Sequence, residues 1–413
     1  MKNLSKNYWF FGAFFYLYFF IWAASTMFLS LWLTNVGGLS GTNTGIIFSA
    51  ISIAAICYQP FFGIVADKLG LKKNLLWVFT FLLVFIGPFF VYAFPPLLKT
   101  NIILAAIIGG AYLGAIFNVW VGAIEAYIEK VSHVNNFEYG RVRVFGNIGA
   151  ATSTFVTGHL FNTNPNIIYW VCTIAAIGLA VVLCFAKMGD SNPQVEKNQN
   201  ESSVPKGSTL ALFKDRKFWF FMLYVVGVGC VYEVYDQQFP VFFTHFFSTP
   251  QKGTEIFGNL VTLQIFLEAT VMITAPFIIR KMGAKNALVY AGFIMSFRIL
   301  GSSIASGPVA ISLLKLLHAA EVPILLVAVF KYISANFDMR LSATIYLIGF
   351  QFSKQVGSIF LSTITGHMYD TVGFARAYQL LGSIALLFTI VSIFTLSSSG
   401  KSKFKNVSDK KAA

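Results

Sequence analysis

Long apolar stretches without a charged side chain organise the first half of this chain. Residues 7–66 carry no charge, which is enough for two helices of about 20 residues each across a hydrocarbon core about 30 Å thick. A glycine-rich turn at 37–41 divides this stretch into two. Further charge-free runs cover 74–98, 100–124 and 144–186, the last divided by a polar turn at 162–166. The pattern predicts six membrane spans.

A second set of apolar segments follows a polar stretch around 188–217, although several of these segments contain charged residues. The segments lie at 218–246, 254–279, 286–306, 307–330, 341–365 and 374–397. We number the twelve predicted spans 1 to 12 in chain order. The pattern therefore predicts an all-α, polytopic membrane protein with twelve transmembrane helices.

The two halves repeat one sequence feature at the same place. Lys68-Leu69-Gly70-Leu71-Lys72 follows span 2, and Lys281-Met282-Gly283-Ala284-Lys285 follows span 8, so both halves carry K-x-G-x-K. Duplicated six-helix halves are typical of secondary transporters, whose substrate lies between the halves near the bilayer midplane. The predicted division is a six-helix bundle at 1–186, a cytoplasmic linker at 187–217, a second six-helix bundle at 218–400 and a cytoplasmic tail at 401–413.

The first of these loops carries a longer motif. Gly63-x-x-x-Asp67-Lys68-x-Gly70-x-Lys72-Lys73 matches the loop between spans 2 and 3 of the major facilitator superfamily. A short cytoplasmic loop with positive charges would by itself explain much of this composition. Together with the repeat and the span count, the motif favours the major facilitator fold, with two pseudo-symmetric halves.

Composition agrees with a membrane protein. Of the 413 residues 56% are hydrophobic and only 11% charged, and the mean hydropathy is +0.71, which excludes an ordinary soluble enzyme. The net charge of +14 would suggest a nucleic-acid partner, but most Lys and Arg residues fall in cytoplasmic segments if the N-terminus is cytoplasmic. We therefore expect a bacterial inner-membrane protein with both termini in the cytoplasm, in contact with anionic lipid and with no nucleic-acid partner.

Ionisable residues inside the spans are the chemically informative ones. Each costs about 2.5–3.5 kcal/mol to insert, so they usually face the bundle interior and pair with one another. They are Glu125, Arg143, Glu233, Asp236, Glu268, Arg298, Lys315, His318, Glu321 and Lys354. Five carboxylates meet only four fixed cations. One carboxylate therefore lacks a counter-charge and is a candidate proton carrier.

Spacing suggests which of these charges pair. Glu233 and Asp236 share one side of span 7, while Lys315 lies on span 10 and Lys354 on span 11. These positions predict ion pairs between helices. A purely structural role, in which the pairs only lock the helices together, is the alternative interpretation.

Glu321 is the best candidate for the surplus carboxylate. It lies in the apolar context Ala319-Ala320-Glu321-Val322-Pro323 and shares one side of span 10 with His318. Arg298 on span 9 is expected to favour loss of the proton from Glu321. His318 is either a ligand of the substrate or a hydrogen-bonding residue between helices.

A polyhydroxylated neutral molecule would suit such a cavity. Glu125 and Arg143 form one charged pair in an otherwise uncharged half, which favours a polar ligand over a structural brace. Carboxylates accept hydrogen bonds from hydroxyl groups, Arg and His donate them, and aromatic faces cover the C–H side of a sugar ring. The aromatic candidates are Trp22, Trp120, Tyr232 and Tyr235.

Four stretches resemble the lactose permease family of oligosaccharide:proton symporters. They are Phe137-Glu138-Tyr139-Gly140-Arg141-Val142-Arg143-Val144-Phe145-Gly146, Tyr232-Glu233-Val234-Tyr235-Asp236-Gln237-Gln238-Phe239, His318-Ala319-Ala320-Glu321-Val322-Pro323 and the segment 341–351. The resemblance covers almost the whole chain. It implies proton-coupled uptake of a di- or oligosaccharide by alternating access in a functional monomer, without a cofactor or metal and with H⁺ as the coupling ion.

The resemblance also implies residue roles. Glu125 and Arg143 match the family's sugar-binding pair, and Asn118 matches a neighbouring sugar ligand. His318 matches the histidine between the sugar and proton sites, Glu321 the proton carrier and Arg298 its partner. The interhelical charge pairs it implies are Glu233 with Lys354 and Asp236 with Lys315.

Departures from the lactose permease pattern concern the substrate. Ala150 replaces the tryptophan that stacks on the galactosyl ring, and Ile265 replaces the glutamate of span 8. Glu268, one turn later, resembles the arrangement in sucrose permeases. Trp120 and Val121 are also expected at the sugar, where the galactoside permeases have small residues. Trp22 is expected to provide a substitute stacking face, and Asn147 is expected beside the sugar. These differences favour sucrose, raffinose or a related sugar over lactose.

Three other function classes compete with the symporter. A sugar sensor on a transporter fold would need a cytoplasmic signalling segment, and the linker and tail are short and featureless. An exporter of the same superfamily has the same composition. A membrane enzyme is disfavoured because no nucleophile–base arrangement, metal-ligand spacing or phosphate loop stands out.

Overall fold

The computed structural model describes residues 6–69, 74–119, 139–185, 212–338 and 341–398, with seven further positions between 121 and 132. Helices make up almost all of these residues. Part of the loop motif after span 2, Trp120 and most of the predicted linker and tail lie outside the described residues.

The first half contains six helical segments in the predicted order. Span 1 is Lys6–Met27 and Leu29–Asn35, span 2 is Gly41–Leu69, and span 3 is Asn74–Val84, Ile86–Pro88, the π-helical Phe89–Ala93 and Phe94–Thr100. Span 4 begins with Ile102–Leu113 and the π-helical Gly114–Val119, span 5 is Tyr139–Thr163, and span 6 is Ile167–Phe185. Gly38, at φ 66°, turns the chain between spans 1 and 2. The Asn101 side chain caps span 4.

The second half contains the other six. Span 7 is Arg216–Tyr224, the π-helical Val225–Cys230 and Val231–Thr244; span 8 is Pro250–Met282; span 9 is Ala284–Ile304. Span 10 is Pro308–Leu316 and His318–Asn336, span 11 is Ser342–Ile345, the π-helical Tyr346–Phe352 and Ser353–Thr371, and span 12 is Gly373–Thr395. Thr249 caps span 8. The predicted all-α architecture is confirmed.

Hydropathy differs between the spans. Among the described residues, nine helices are long and apolar enough to cross a membrane, and Ile102–Asn118 is a shorter apolar helix. Spans 5 and 11 are not in that set. They bury hydroxyl side chains such as Thr154 and Ser358 against other helices, which lowers their hydropathy. Their polar faces reflect helix contacts inside the bundle rather than solvent.

The two halves meet most closely at the distal end, by which we mean the end of the bundle where span 2 begins and span 11 ends. Span 2 packs on span 11, and span 5 packs on span 8. A Cβ added to Gly158 would lie 2.9 Å from the Cα of Gly258, and one added to Gly45 would clash with the carbonyl of Ser362. Glycine at these positions therefore allows the helices to touch backbone to backbone.

Polar contacts join the halves at the same end. The Ser49 and Thr363 hydroxyls are 2.8 Å apart. The carboxylate of Asp370, at the end of span 11, accepts hydrogen bonds of 2.8 Å from the backbone N–H groups of Gly41 and Thr42 and one of 2.6 Å from the Thr42 hydroxyl. Asp370 thus caps the N-terminus of span 2 from the other half of the chain.

Asp370→Ala should loosen the distal end, because it leaves two N–H groups of span 2 without their acceptor. We expect a loss of about 0.5–1 kcal/mol, the lower part of the capping range, since the contact is exposed. The check is the alkylation rate of a cysteine placed at Ser49, which should rise several-fold. Thr371→Val, which removes only a bond to His367 within span 11, is the matched control. Equal rates in both variants would contradict the capping role.

Candidate functional site

A cavity of about 610 Å³ lies between the two halves. Its wall is formed by spans 1, 2, 4 and 5 from the first half and spans 7, 8, 10 and 11 from the second. Most of the predicted site residues line it: Trp22, Asn118, Arg143, Asn147, Tyr232, Glu233, Asp236, Glu268, Lys315, His318 and Lys354. The rest of the wall combines apolar and aromatic side chains with uncharged polar ones, namely Thr26, Ser52, Gln59, Gln237, Gln264, Gln351 and Gln355.

Spans 4 and 5 bring the first charged pair together. Arg143 Nε donates to Glu125 Oε1 at 2.8 Å, and Nη1 donates to Asn147 Oδ1 at 2.9 Å. The guanidinium carbon lies 4.1 Å from the ring centre of Phe19, a cation–π contact. The two charged side chains are about 30% exposed, at 29% and 32%. A guanidinium has five N–H donors, so this group can also bind a hydroxyl ligand at the wall.

The aromatic candidates are only partly described. Trp22 lines the cavity, with its ring edge-on to Phe19 at 6.1 Å between centres. Ala150 also lines the wall and leaves room where a larger residue would project. Trp120 lies outside the described residues, whereas its neighbour Val121 is part of the wall. Tyr235 is fully buried under Arg298 and does not line the cavity.

Glu233 and Lys354 form a separate pair between spans 7 and 11. Lys354 Nζ donates to Glu233 Oε2 at 2.7 Å, and the same ammonium lies 5.2 Å from the ring centre of Phe350. No other ion pair to either residue occurs in the part of the chain that the structure describes. The two side chains meet as the family resemblance implies.

Asp236 is the centre of a larger cluster. Lys315 Nζ donates to Asp236 Oδ1 at 3.0 Å, as the family resemblance implies. Arg298 also donates to both oxygens of Asp236, at 3.0 Å each, and His318 Nε2 lies 3.3 Å from Oδ2. The bidentate contact from Arg298 could not be predicted, since nothing in the sequence shows how closely span 9 approaches span 7.

Glu321 is fully buried behind this cluster. Its Oε1 lies 2.6 Å from Arg298 Nη2, so the expected proximity to Arg298 is present. Among the described residues, neither oxygen of Glu321 accepts a well-formed hydrogen bond. Within the described part of the chain, the one ion-pair partner of Glu321 is thus Arg298, and Asp236 binds the same Arg298 through two hydrogen bonds.

The charges of this cluster do not balance. Asp236, Glu268 and Glu321 face Arg298 and Lys315, together with one histidine. With all carboxylates ionised and the histidine neutral, the net charge is minus one. An uncompensated charge is costly in a buried site, so charge balance requires one further proton. Glu321 and His318 are two groups that can hold this proton.

His318 connects the cavity to the cluster. Its Nδ1 lies 2.8 Å from Glu268 Oε1, and its ring is edge-on to Tyr232 at 6.1 Å between centres. Gln264 Nε2 donates to Glu268 Oε1 at 2.8 Å and lies 3.0 Å from His318 Nδ1. Gln264 was missed in the sequence analysis, although its i, i+4 spacing from Glu268 places both on one face of span 8.

One group of side chains has the spacing of a cation site. Possible ligand atoms of Asp236, His318 and Glu321 lie within 4.8 Å of one another. Arg298 and Lys315 contact the same carboxylates, and two positive charges there disfavour a bound metal ion. The arrangement is better suited to holding a proton.

Comparison with known proteins gives a match over the whole chain. The family described as LacY proton/sugar symporter matches residues 1–408. Similar proteins include a raffinose permease from Escherichia coli, 49% identical over 96% of this chain and 94% of that protein, and a melibiose permease from Enterobacter cloacae, 50% identical over 95% and 93%. A sucrose permease from Escherichia coli is 38% identical over 92% of each chain.

A solved structure gives the fold. The crystal structure of the nucleoside transporter NupG superimposes with a TM-score of 0.76 over 97% of this chain and all of that one. The sequence identity is 15%, so the likeness concerns the fold alone. The match agrees with the expected transporter architecture of twelve spans.

The two lysine–carboxylate pairs should respond differently to removal. Lys354→Ala leaves Glu233 without its cation and should cost about 2 kcal/mol, less than a fully buried pair because Glu233 is 29% exposed. Glu233→Ala together with Lys354→Ala should recover most of that loss. Asp236→Ala together with Lys315→Ala should recover less than half of the loss from either single change, because Arg298 also loses two hydrogen bonds. Thermal unfolding of purified protein in detergent is the measurement, and equal recovery by both double variants would contradict the shared role of Asp236.

Proposed function

The chain belongs to the LacY proton/sugar symporter family, and from that premise we propose that it imports a di- or oligosaccharide together with a proton, by alternating access to the cavity between its halves. It is a transporter and not an enzyme, as are the permeases it resembles. The observation that carries the proposal is a continuous series of contacts. It leads from Glu268 at the cavity through His318, Asp236 and Arg298 to the buried Glu321.

The sugar is held between opposite walls. Arg143, which lines one wall with Asn118 and Asn147, provides donors for hydroxyl groups, and Glu125, which is paired with Arg143, provides acceptors. Glu268 and His318 do so on the other wall, with Trp22 and Tyr232 as aromatic faces. A ligand that bridges the two walls would draw the halves together. This supports transport by rocking of the halves around one central site.

A raffinose-type sugar is the favoured substrate. The raffinose permease is 49% identical to this chain, and the sucrose permease is 38% identical. Ala150 leaves the wall of span 5 open, and a cavity of about 610 Å³ lies within the roughly 300–1,000 Å³ of small-molecule sites. The melibiose permease, at 50% identity, makes galactosides a close second class.

Glu321 carries the coupling proton in this proposal. When Glu321 is protonated, the remaining charges around Asp236 balance with a neutral histidine. When it loses the proton, Arg298 is the adjacent cation that stabilises the carboxylate. Because His318 contacts both Glu268 and Asp236, binding of sugar at Glu268 changes the surroundings of the proton site.

Orientation follows from the charge distribution along the sequence. We place the protein in the bacterial inner membrane with both termini in the cytoplasm, so that the distal end faces the periplasm. The cavity is formed within a single chain, which supports a functional monomer. The coupling ion is H⁺, and the proposal needs no cofactor or metal.

A panel of lactose, melibiose, sucrose and raffinose tests the function. Each sugar is added to energy-starved cells that lack other permeases, and the pH of the medium is recorded. Raffinose and sucrose should cause transient alkalinisation, with smaller responses to lactose. In energised cells, by contrast, one proton entering down 100 mV supplies about 2.3 kcal/mol, so accumulation there should reach roughly forty- to fiftyfold. Sugar uptake that follows Na⁺ rather than H⁺, or no uptake of any of the four sugars, would contradict the proposal.

A further inference from the structure

Gln264 lies at the junction between the sugar cavity and the charge cluster. We propose that Gln264 is a positioning residue that holds the Glu268 carboxylate at the cavity before sugar binds and becomes the hydrogen-bond partner of His318 once sugar occupies Glu268. The proposal rests on the sugar:proton symport proposed above. It assigns the communication between sugar and proton sites to an uncharged side chain on span 8.

Geometry is the first support. The side chain is 5% exposed, and its Nε2 lies 2.8 Å from Glu268 Oε1 and 3.0 Å from His318 Nδ1. One nitrogen thus contacts both residues that connect the cavity to Asp236. Gln264 Oε1 is buried without a hydrogen-bond partner among the described residues. A buried carbonyl oxygen without a donor is unfavourable, so this oxygen needs a partner in some other state of the site.

The amide distinguishes between two states of His318. An amide nitrogen has two N–H donors and accepts nothing. It can donate to Glu268 and His318 Nδ1 together only when Nδ1 carries no proton. When Nδ1 carries a proton, its N–H donates to Glu268. The second N–H of the Gln264 amide then faces the Nδ1–H group, and neither donor can accept a hydrogen bond from the other. Protonation of Nδ1 therefore favours rotation of the amide so that Oε1 turns toward the imidazole.

Sugar binding would produce the same rearrangement. A hydroxyl that donates to Glu268 competes with His318 for that carboxylate. When the His318 Nδ1–H group loses its hydrogen bond to the Glu268 carboxylate, it needs another acceptor. Rotation of the Gln264 amide makes Oε1 available as that acceptor. Gln264 then replaces Glu268 as the partner of His318, which keeps the histidine in place opposite Asp236. The unsatisfied oxygen is explained as the acceptor of the sugar-bound state.

Other charged and titratable groups around His318 set the background for any pH effect. They come from four spans and are Tyr232 and Asp236 on span 7, Glu268 on span 8, Arg298 on span 9, and Lys315 and Glu321 on span 10. Gln264 differs from all of these because it changes its hydrogen bonding without gaining or losing a proton. Its replacement by an apolar residue should therefore alter how sugar affects the cluster while leaving the number of titratable groups unchanged.

Two substitutions separate hydrogen bonding from the filling of space. Gln264→Leu removes the donors and keeps much of the volume. Gln264→Glu keeps the shape but places a second carboxylate against Glu268, which repels it unless the two share a proton. Phe266→Leu, at a side chain that is 54% exposed on the same helix, is the matched control. The probe is the sugar of the four-member panel that the unmodified protein binds with the lowest dissociation constant.

Sugar dissociation constants are measured by titration calorimetry on the full chain, and sugar-driven proton uptake is measured in proteoliposomes between about pH 5.5 and 8.5. Gln264→Leu should weaken binding at least tenfold at every pH, the effect of losing one hydrogen bond to a charged group. The Gln264→Glu variant should bind sugar as weakly as Gln264→Leu at alkaline pH. As the pH falls, its dissociation constant should return toward that of the unmodified protein, because a proton shared by the two carboxylates again provides a donor. Phe266→Leu should match the unmodified protein throughout.

The outcomes separate the two proposals. Absence of sugar-driven proton uptake in the unmodified protein would refute the symport proposal, while the binding series would still test Gln264. Unchanged dissociation constants and pH profiles in both Gln264 variants would overturn the positioning role. An equal loss in both at every pH would also overturn it, since it would mean that a shared proton does not restore the donor and that either substitution disturbs the site in general. If Gln264→Leu does not fold, the pH profile of Gln264→Glu alone decides the test.

Discussion

The structure depends on how one carboxylate, Asp236, is shared. Arg298 binds both of its oxygens and Lys315 one of them, while His318 lies beside the other. This leaves Glu321 with a cation that is already engaged elsewhere. In a medium where isolated charges are costly, such sharing makes the site sensitive to a single proton. Spans 7, 9 and 10 must pack together for the cluster to form.

The two halves contribute different parts of the site. The first half contributes an ion pair at the cavity wall, Glu125 with Arg143, and closely packed glycines such as Gly158 at the distal end. The second half holds the charge cluster. Packing joins them, since the hydrophobic core of the first half continues into the distal parts of spans 7, 8 and 12, with Phe28 against Phe257 as one contact. Because the halves pack together at the distal end, the cavity between them is closed at that end.

Much of this arrangement follows from the sequence, because charges inside apolar spans are rare and conspicuous. The pairing of Lys354 with Glu233 follows from the family resemblance. The twelve helices and the occurrence of ion pairs between helices could be predicted from charge-free runs and helical spacing. The second contact of Arg298, with Asp236, could not, since spacing places a residue on a helix face but does not show which helices approach. Gln264 was missed because an uncharged amide does not enter a count of charges. The roles of the site residues remain predictions that transport measurements can test.

Glu321→Gln tests the central claim most directly, because it removes the proposed site of the coupling proton and keeps the shape of the side chain. In proteoliposomes the variant should exchange sugar across the membrane at a rate close to that of the unmodified protein but should not accumulate it against a gradient, whatever the proton gradient imposed. Glu268→Gln, which alters the sugar side, should reduce both processes. Accumulation of sugar by Glu321→Gln would contradict the account.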